Sequence, residues 1–231
     1  MKTCELTQII DQDKMFLEIF ESCKNFTMTS KERMYALYKA TRQVIECSVP
    51  GDFVECGVWK GGSAMIIAYS LIGLNATDRK IYLYDTFEGM TEPKECDFRA
   101  WDNTRAWNEW NDKQKLNYND WCYAPMNEVK SNMTSTGYPE ENIIYVKGKV
   151  EETIPKRAPA EIAILRLDTD WYESTMHELI HLYPLLSKNG VLIIDDYGYW
   201  AGSKKATDEY FSNFKIVFNR IDDTGIIAIK P

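Results

Sequence analysis

Histidine is scarce in this 231-residue chain: His177 and His181 are the only two. They fall in His177-Glu178-Leu179-Ile180-His181, a literal H-E-x-x-H, the pattern of zinc-protease helices. With no third histidine, a zinc site there would have to recruit an acid such as Glu209. The helical stripe expected to be buried is Met176, Leu179, Ile180, Tyr183 and Leu186, which leaves both histidines off it. A solvated histidine pair is the expectation. Cysteine pairing is also missing: Cys4, Cys23, Cys47, Cys56, Cys96 and Cys122 are scattered without a CxxC. Reduced thiols follow, with Cys56 a buried small hydrophobe rather than a nucleophile. No apolar run reaches signal-peptide or transmembrane length, so a cytoplasmic protein that does not enter membranes is expected. Positive charge is short as well. A net charge of −8 excludes a broad basic face for nucleic acid or anionic lipid. Internal repeats and low-complexity linkers are absent.

Hydrophobic residues make up 45% and charged residues 27% of the chain, a globular balance. Apolar, β-rich runs recur: Phe53 to Val58, Ile81 to Thr86, Asn142 to Gly148, Ile162 to Asp168, Val191 to Asp196, Lys215 to Ile221 and Gly225 to Lys230. The inner runs lack polar alternation, as parallel strands covered on both faces do. The last two are joined by Asp222-Asp223-Thr224, hairpin length, so they should be antiparallel. Strands alternating with helical segments predict an α/β, doubly wound sheet in a single domain spanning 1–231. Residues 1–50 read as a helical extension, with Met34, Leu37, Tyr38, Thr41, Val44 and Ile45 at helical spacing. Residues 90–140 carry Trp101, Trp107, Trp110, Tyr118, Trp121 and Tyr123 among polar residues. An insertion of that length predicts a lid or substrate segment, against the alternative of an aromatic-stapled appendage.

The first strand ends in Glu55-Cys56-Gly57-Val58-Trp59-Lys60-Gly61-Gly62-Ser63 and enters an apolar helix. Glycines there permit close ligand approach, and a helix N-terminus favours polar or anionic groups. The spacing is not GxGxxG, which argues against a dinucleotide pyrophosphate. An acid before the first glycine suits an ammonium group instead. Asp85, at the end of the second strand, is placed to accept ribose hydroxyls. A nucleoside carrying an amino acid fits both features. Two further strands also end in acids: Asp168 and Asp170 after one, Asp195 and Asp196 after the other. Asp170 and Glu173 read as helix-start acids, and Lys204-Lys205 as solvated surface.

These ordered motifs, E-x-G-V-W-K-G-G, D-T-F-E-G-M, G-K-V-E-E-T-I-P, L-R-L-D-T-D-W-Y-E-S-T and I-I-D-D-Y-G, resemble the macrocin O-methyltransferase family from about Arg33 to about Phe211. The resemblance implies a class I, S-adenosylmethionine-dependent O-methyltransferase acting on a sugar or sugar-containing small molecule, with a seven-stranded sheet whose last strand is antiparallel. It implies that Glu55, Gly57, Gly61, Gly62 and Ser63 hold the methionine part of the cofactor. Asp85 would take the ribose, and Lys149 and Val150 would lie beside the adenine. Asp168, Asp195 and Asp196 match Mg²⁺ ligands, with Asp168 also the candidate proton acceptor. A homo-oligomer is expected. Catechol-type enzymes carry a lysine base three residues after the first aspartate, where this chain has Trp171. Carboxylates crowded at neighbouring strand ends repel unless a cation or proton intervenes, and Mg²⁺ prefers such oxygen ligands.

Two other classes compete. Asp168-x-Asp170 with a later Asp-Asp imitates haloacid-dehalogenase-type phosphatases. That pattern normally opens its fold, though, and leaves far more chain before the second pair. A non-catalytic nucleotide-binding scaffold would bind the cofactor without methyl transfer.

Overall fold

The computed structural model describes residues 9–231; residues 1–8, with Cys4 and the start of the expected helical extension, lie outside the described residues. Strands form where β-branched and aromatic residues cluster: β1 Asp52–Cys56, β2 Ile81–Asp85, β3 Ile143–Lys147, β4 Ile162–Leu167, β5 Leu186–Ile194, β6 Asn219–Arg220 and β7 Ile226–Ile229. They make a 7-stranded sheet in the order β3-β2-β1-β4-β5-β7-β6. β1 to β5 are parallel, and β7 runs antiparallel between β5 and β6. The order reverses between β1 and β4, which opens a crevice beyond their C-terminal ends. Register decides what faces it. Tyr84, Cys56, Leu167 and Ile194 are aligned across β2, β1, β4 and β5, so Asp85, Gly57, Asp168 and Asp195 leave the sheet at one level.

Alternation along the strands feeds two cores. Phe53, Leu83, Ile164 and Ile193 face one side, and Val54, Tyr84, Leu165 and Ile194 the other. Each fully buried aliphatic or phenyl side chain contributes roughly 1.5–3 kcal/mol. The first side is covered by α1 Lys14–Cys23, α2 Lys31–Glu46 and α3 Gly62–Gly73. α3 has no polar face because α1 and α2 lie over it; Ala64, Met65, Ile66, Ile67 and Ala68 are buried in succession. α2 starts where Ser30 Oγ accepts from Arg33 N at 3.1 Å. It buries Met34, Leu37, Tyr38, Thr41 and Val44 as the spacing predicts.

The insertion between β2 and β3 contains α4 Ala106–Lys113 and α5 Met126–Thr134. It is not purely helical. Phe98 pairs with Arg105, and Arg99 with Trp200. Asp97, fully buried, accepts from Tyr172 N at 2.9 Å and from Lys94 N at 2.7 Å. Trp121 meets Trp171 and Trp200 edge-on with centroids 5.7 and 5.8 Å apart. Those aromatics staple, whereas Trp101 and Trp107 remain 58% and 46% exposed.

The second face carries α6 Val150–Thr153, α7 Tyr172–Leu182 and α8 Ala201–Phe211. α7 corrects the predicted stripe. It buries Ser174, Thr175, Glu178, Leu179 and Leu182, while Ile180 is 49% exposed. The helix is rotated because its small and polar residues bond the turn that follows β4. β6 is also shorter than Lys215 to Ile221, since it is an edge strand with one neighbour.

Candidate active site

Beyond β1, β4 and β5 lies a cavity of about 380 Å³ whose walls include Gly57, Ser63, Asp85, Asp168, Asp170, Asp195 and Asp196. A side lobe bounded by Asp85, Lys149, Val150 and Ser174 shares Gly57, Asp85 and Asp168 with it. Phe26 to Thr29 and Arg33 close one wall, and Arg99, Glu109, Trp121 and Tyr199 from the insertion and its anchor close another.

Four non-glycine residues at or beside this crevice hold left-handed backbone: Trp59 at φ 46, Phe87 at φ 53, Cys122 at φ 51 and Asp170 at φ 70. Such strain persists where surroundings impose it. Asp85 imposes part of it, accepting from Val58 N at 2.7 Å, Trp59 N at 3.2 Å and Phe87 N at 2.7 Å. Burial raises its acid, while those N–H groups pull it back down. Gly57 has φ +84, and a Cβ there would stand 2.0 Å from Asp168 O. A Cβ on Gly62 would stand 2.6 Å from Phe26 O. Both glycines therefore admit neighbouring backbone, a requirement that exists without any ligand. Gly61, at φ +89, turns the chain into α3.

The predicted metal acids converge: Asp168, Asp195 and Asp196 each offer an oxygen within 4.8 Å of the others. Two arginines hold Asp168 and Asp195. Arg166, buried in β4, donates to Glu55 Oε1 at 2.6 Å, Asp168 Oδ2 at 2.8 Å and Asp195 Oδ1 at 2.7 Å. Burial alone would lower its pKa, but Asp168, Asp195 and Glu55 keep the guanidinium charged. Arg33 reaches from α2 to Asp195 Oδ2 and, through Nε, to Asp222 Oδ2 at 2.9 Å. Neither arginine is within ion-pair distance of Asp170 or Asp196 among the described residues. Burial raises the proton affinity of those two acids. Asp196 Oδ2 is buried without a donor, an orphan of the kind a cation or ligand satisfies.

Glu55 is placed otherwise than expected. It is 1% exposed, its Oε1 is bound to Arg166, and it does not line the cavity. Its Oε1 anchors a guanidinium, and its Oε2 is buried without a donor. Asp170 does not cap α7 either; Asp97 does that. His177 and His181 stack at 4.4 Å on a half-exposed flank, with His177 Nε2 on Ile154 O. Lys204 and Lys205 pair with Asp208 and Glu209 at the surface, and Cys56 is fully buried. Arg33, Arg166 and Glu178 were not predicted. Glu55 and Arg166 had left a trace, each a lone charge inside an apolar run.

Excess buried acid makes stability depend on pH. Burial pushes Glu55 up to about 8, Asp168 to about 7 and Asp195 to about 6, against Arg166 pulling each down. Between the ordinary carboxylate range near 4 and these values, the folded chain binds protons that the unfolded chain has released. Unfolding free energy therefore falls as pH rises through that window. Urea titrations without divalent cations should give a lower midpoint at pH 8 than at pH 5.5. Equal midpoints would mean that the cluster is neutralised some other way.

The sheet order, the crevice and its acids accord with the sequence comparisons. A model of the macrocin O-methyltransferase (TylF) family matches residues 21–229. The chain belongs to the macrocin O-methyltransferase family. It is 33% identical over 202 residues to the 8-demethyl-8-(2,3-dimethoxy-alpha-L-rhamnosyl)-tetracenomycin-C 4'-O-methyltransferase of Streptomyces olivaceus, covering 87% of this chain and 74% of that one. It is 32% identical over 190 residues to the demethyldecarbamoylnovobiocin O-methyltransferase of Streptomyces niveus, covering 82% and 69%. The solved O-methyltransferase NovP superposes with a TM-score of 0.76 at 28% identity, covering 89% of this chain and 82% of that one. This macrocin O-methyltransferase family member is thus an S-adenosylmethionine-dependent O-methyltransferase of class I, and the phosphatase alternative falls. No helix of the described residues is long and apolar enough to cross a membrane.

Proposed function

We propose that this chain methylates a hydroxyl of a sugar or sugar-bearing metabolite, with Mg²⁺ held by Asp168, Asp195 and Asp196. The observation that carries the metal is the donor-free Asp196 Oδ2 beside two further aspartates. Their all-oxygen set fits a hard divalent cation, which would lower the pKa of a bound hydroxyl. S-adenosylmethionine supplies an electrophilic methyl group. Its amino-acid end is assigned to the wall of Gly57, Gly61, Gly62 and Ser63, its ribose to the lone pairs left on Asp85, and its base to the lobe beside Lys149 and Val150. The sugar preference rests on relatives whose names specify a rhamnosyl-bearing substrate and mycinamicin III.

The chain's own part is to orient the acceptor and remove its proton. The two duties expected of Asp168 divide between two residues. Asp168 Oδ2 is engaged by Arg166, which leaves Oδ1 for a metal. Asp170 lines the cavity without an arginine, and burial, with Asp168 nearby, strengthens its hold on a proton. We assign proton acceptance to the Asp170 carboxylate. The Trp121 and Tyr199 walls exclude water and offer faces on which a sugar ring packs.

Isothermal titration with S-adenosylhomocysteine, with and without Mg²⁺, paired with methylation of rhamnosylated acceptors, tests this. Cofactor binding with cation-dependent transfer to a sugar oxygen is expected. Full turnover in excess chelator would remove the metal. Tight binding with no transfer across a broad sugar panel would favour the scaffold instead.

A further inference from the structure

Glu178, on α7, is fully buried and lines neither the cavity nor its side lobe, although Thr169 and Ser174 beside it line the lobe. It makes no ion pair among the described residues. Both carboxyl oxygens instead lie on Thr169 Oγ1, at 2.9 and 3.1 Å. Thr169 stands between Asp168 and Asp170. Its carbonyl accepts from Trp171 N at 2.8 Å and Ser174 Oγ at 3.2 Å. The next residue, Asp170, keeps φ 70, a conformation costing roughly 1–3 kcal/mol unless its surroundings impose it.

Packing alone does not account for a carboxyl here. Leu179 and Leu182 already fill this side of the core, and an apolar residue would avoid the desolvation that a buried acid incurs. The hydrogen-bond partner of Glu178 among the described residues is the Thr169 hydroxyl. We infer that Glu178 is a positioning residue: through Thr169 it fixes the turn that aims Asp168 and Asp170 into the cavity. What those two acids do there rests on the function proposed above; the clamp itself does not.

Thr169→Val keeps the shape and removes only the hydroxyl, Glu178→Ala removes the acceptor, and Glu178→Gln retains one. Amide exchange across residues 168–171 reads the clamp directly, Mn²⁺ binding by electron paramagnetic resonance reads the aim of the acids, and S-adenosylhomocysteine binding controls for the fold. Thr169→Val and Glu178→Ala should each weaken Mn²⁺ binding about tenfold, as loss of a supporting hydrogen bond does at metal sites. Both should speed exchange, and their effects should not add in the double variant. Cofactor-product affinity should stay within about threefold in Glu178→Ala, and Glu178→Gln should keep Mn²⁺ affinity within about twofold of the parent, since its amide oxygen still accepts. If Glu178→Ala does not fold, Thr169→Val carries the test. Parental exchange and Mn²⁺ affinity in Thr169→Val would overturn the inference, as would a loss in Glu178→Gln equal to that in Glu178→Ala. A parent protein that binds no Mn²⁺ would sink the metal proposal, while the exchange data would still decide the clamp.

Discussion

Asp196→Ala is expected to lower methyl transfer about 10³-fold, or about 4 kcal/mol of barrier, while leaving S-adenosylhomocysteine affinity within about threefold. The asymmetry follows from what Asp196 touches. Its Oδ2 has no protein donor, and it makes no ion pair with either arginine, so truncation breaks no internal support. It also removes one of the acids that repel each other, which should leave thermal stability unchanged or slightly raised. Kinetics, calorimetry and a melting curve on one preparation give all three readings. Parental turnover, or loss of product binding in step with turnover, would move Asp196 out of the metal site.

Arg166→Met should destabilise the fold by about 3–5 kcal/mol, the usual cost of breaking a buried ion pair from one side. Methionine fills much of the same volume, so the loss would be electrostatic: Glu55, Asp168 and Asp195 would be left buried without their shared partner. The loss should shrink at pH 5.5, where the abandoned acids can take up protons. Urea denaturation of parent and variant at two pH values measures it. A pH-independent deficit would point to packing instead.

The crevice was legible in the sequence because apolar strand runs stop abruptly at acids, and parallel register brings such stops together. Asp85, Asp168, Asp195 and Asp196 were found on that ground. Glu55 was singled out as well, without the partner that lies opposite it in the β1–β4 register, Arg166. Two opposite charges interrupting neighbouring apolar strands are a readable sign of a buried pair. Arg33 gave no such sign. Its partners Asp195 and Asp222 are remote in sequence, and on α2 it looks like any solvated helix residue. Glu178 was concealed by the H-E-x-x-H pattern and by an apolar periodicity that put Ile180 inside. The polar turn after β4, not the leucines alone, settles which way that helix faces.

Ser30 Oγ donates to Asp222 Oδ2 at 2.5 Å, a bond between residues 192 positions apart, and Asp222 in turn steadies Arg33 against the acids. During synthesis the ribosome must therefore release the chain as far as residue 222 before this fastening can be made. Until the final hairpin emerges, the earliest helices wait for their counterpart. Catalytic competence should consequently arrive late and in one step, and clipping the last strand should silence an enzyme whose aspartates are all still in place.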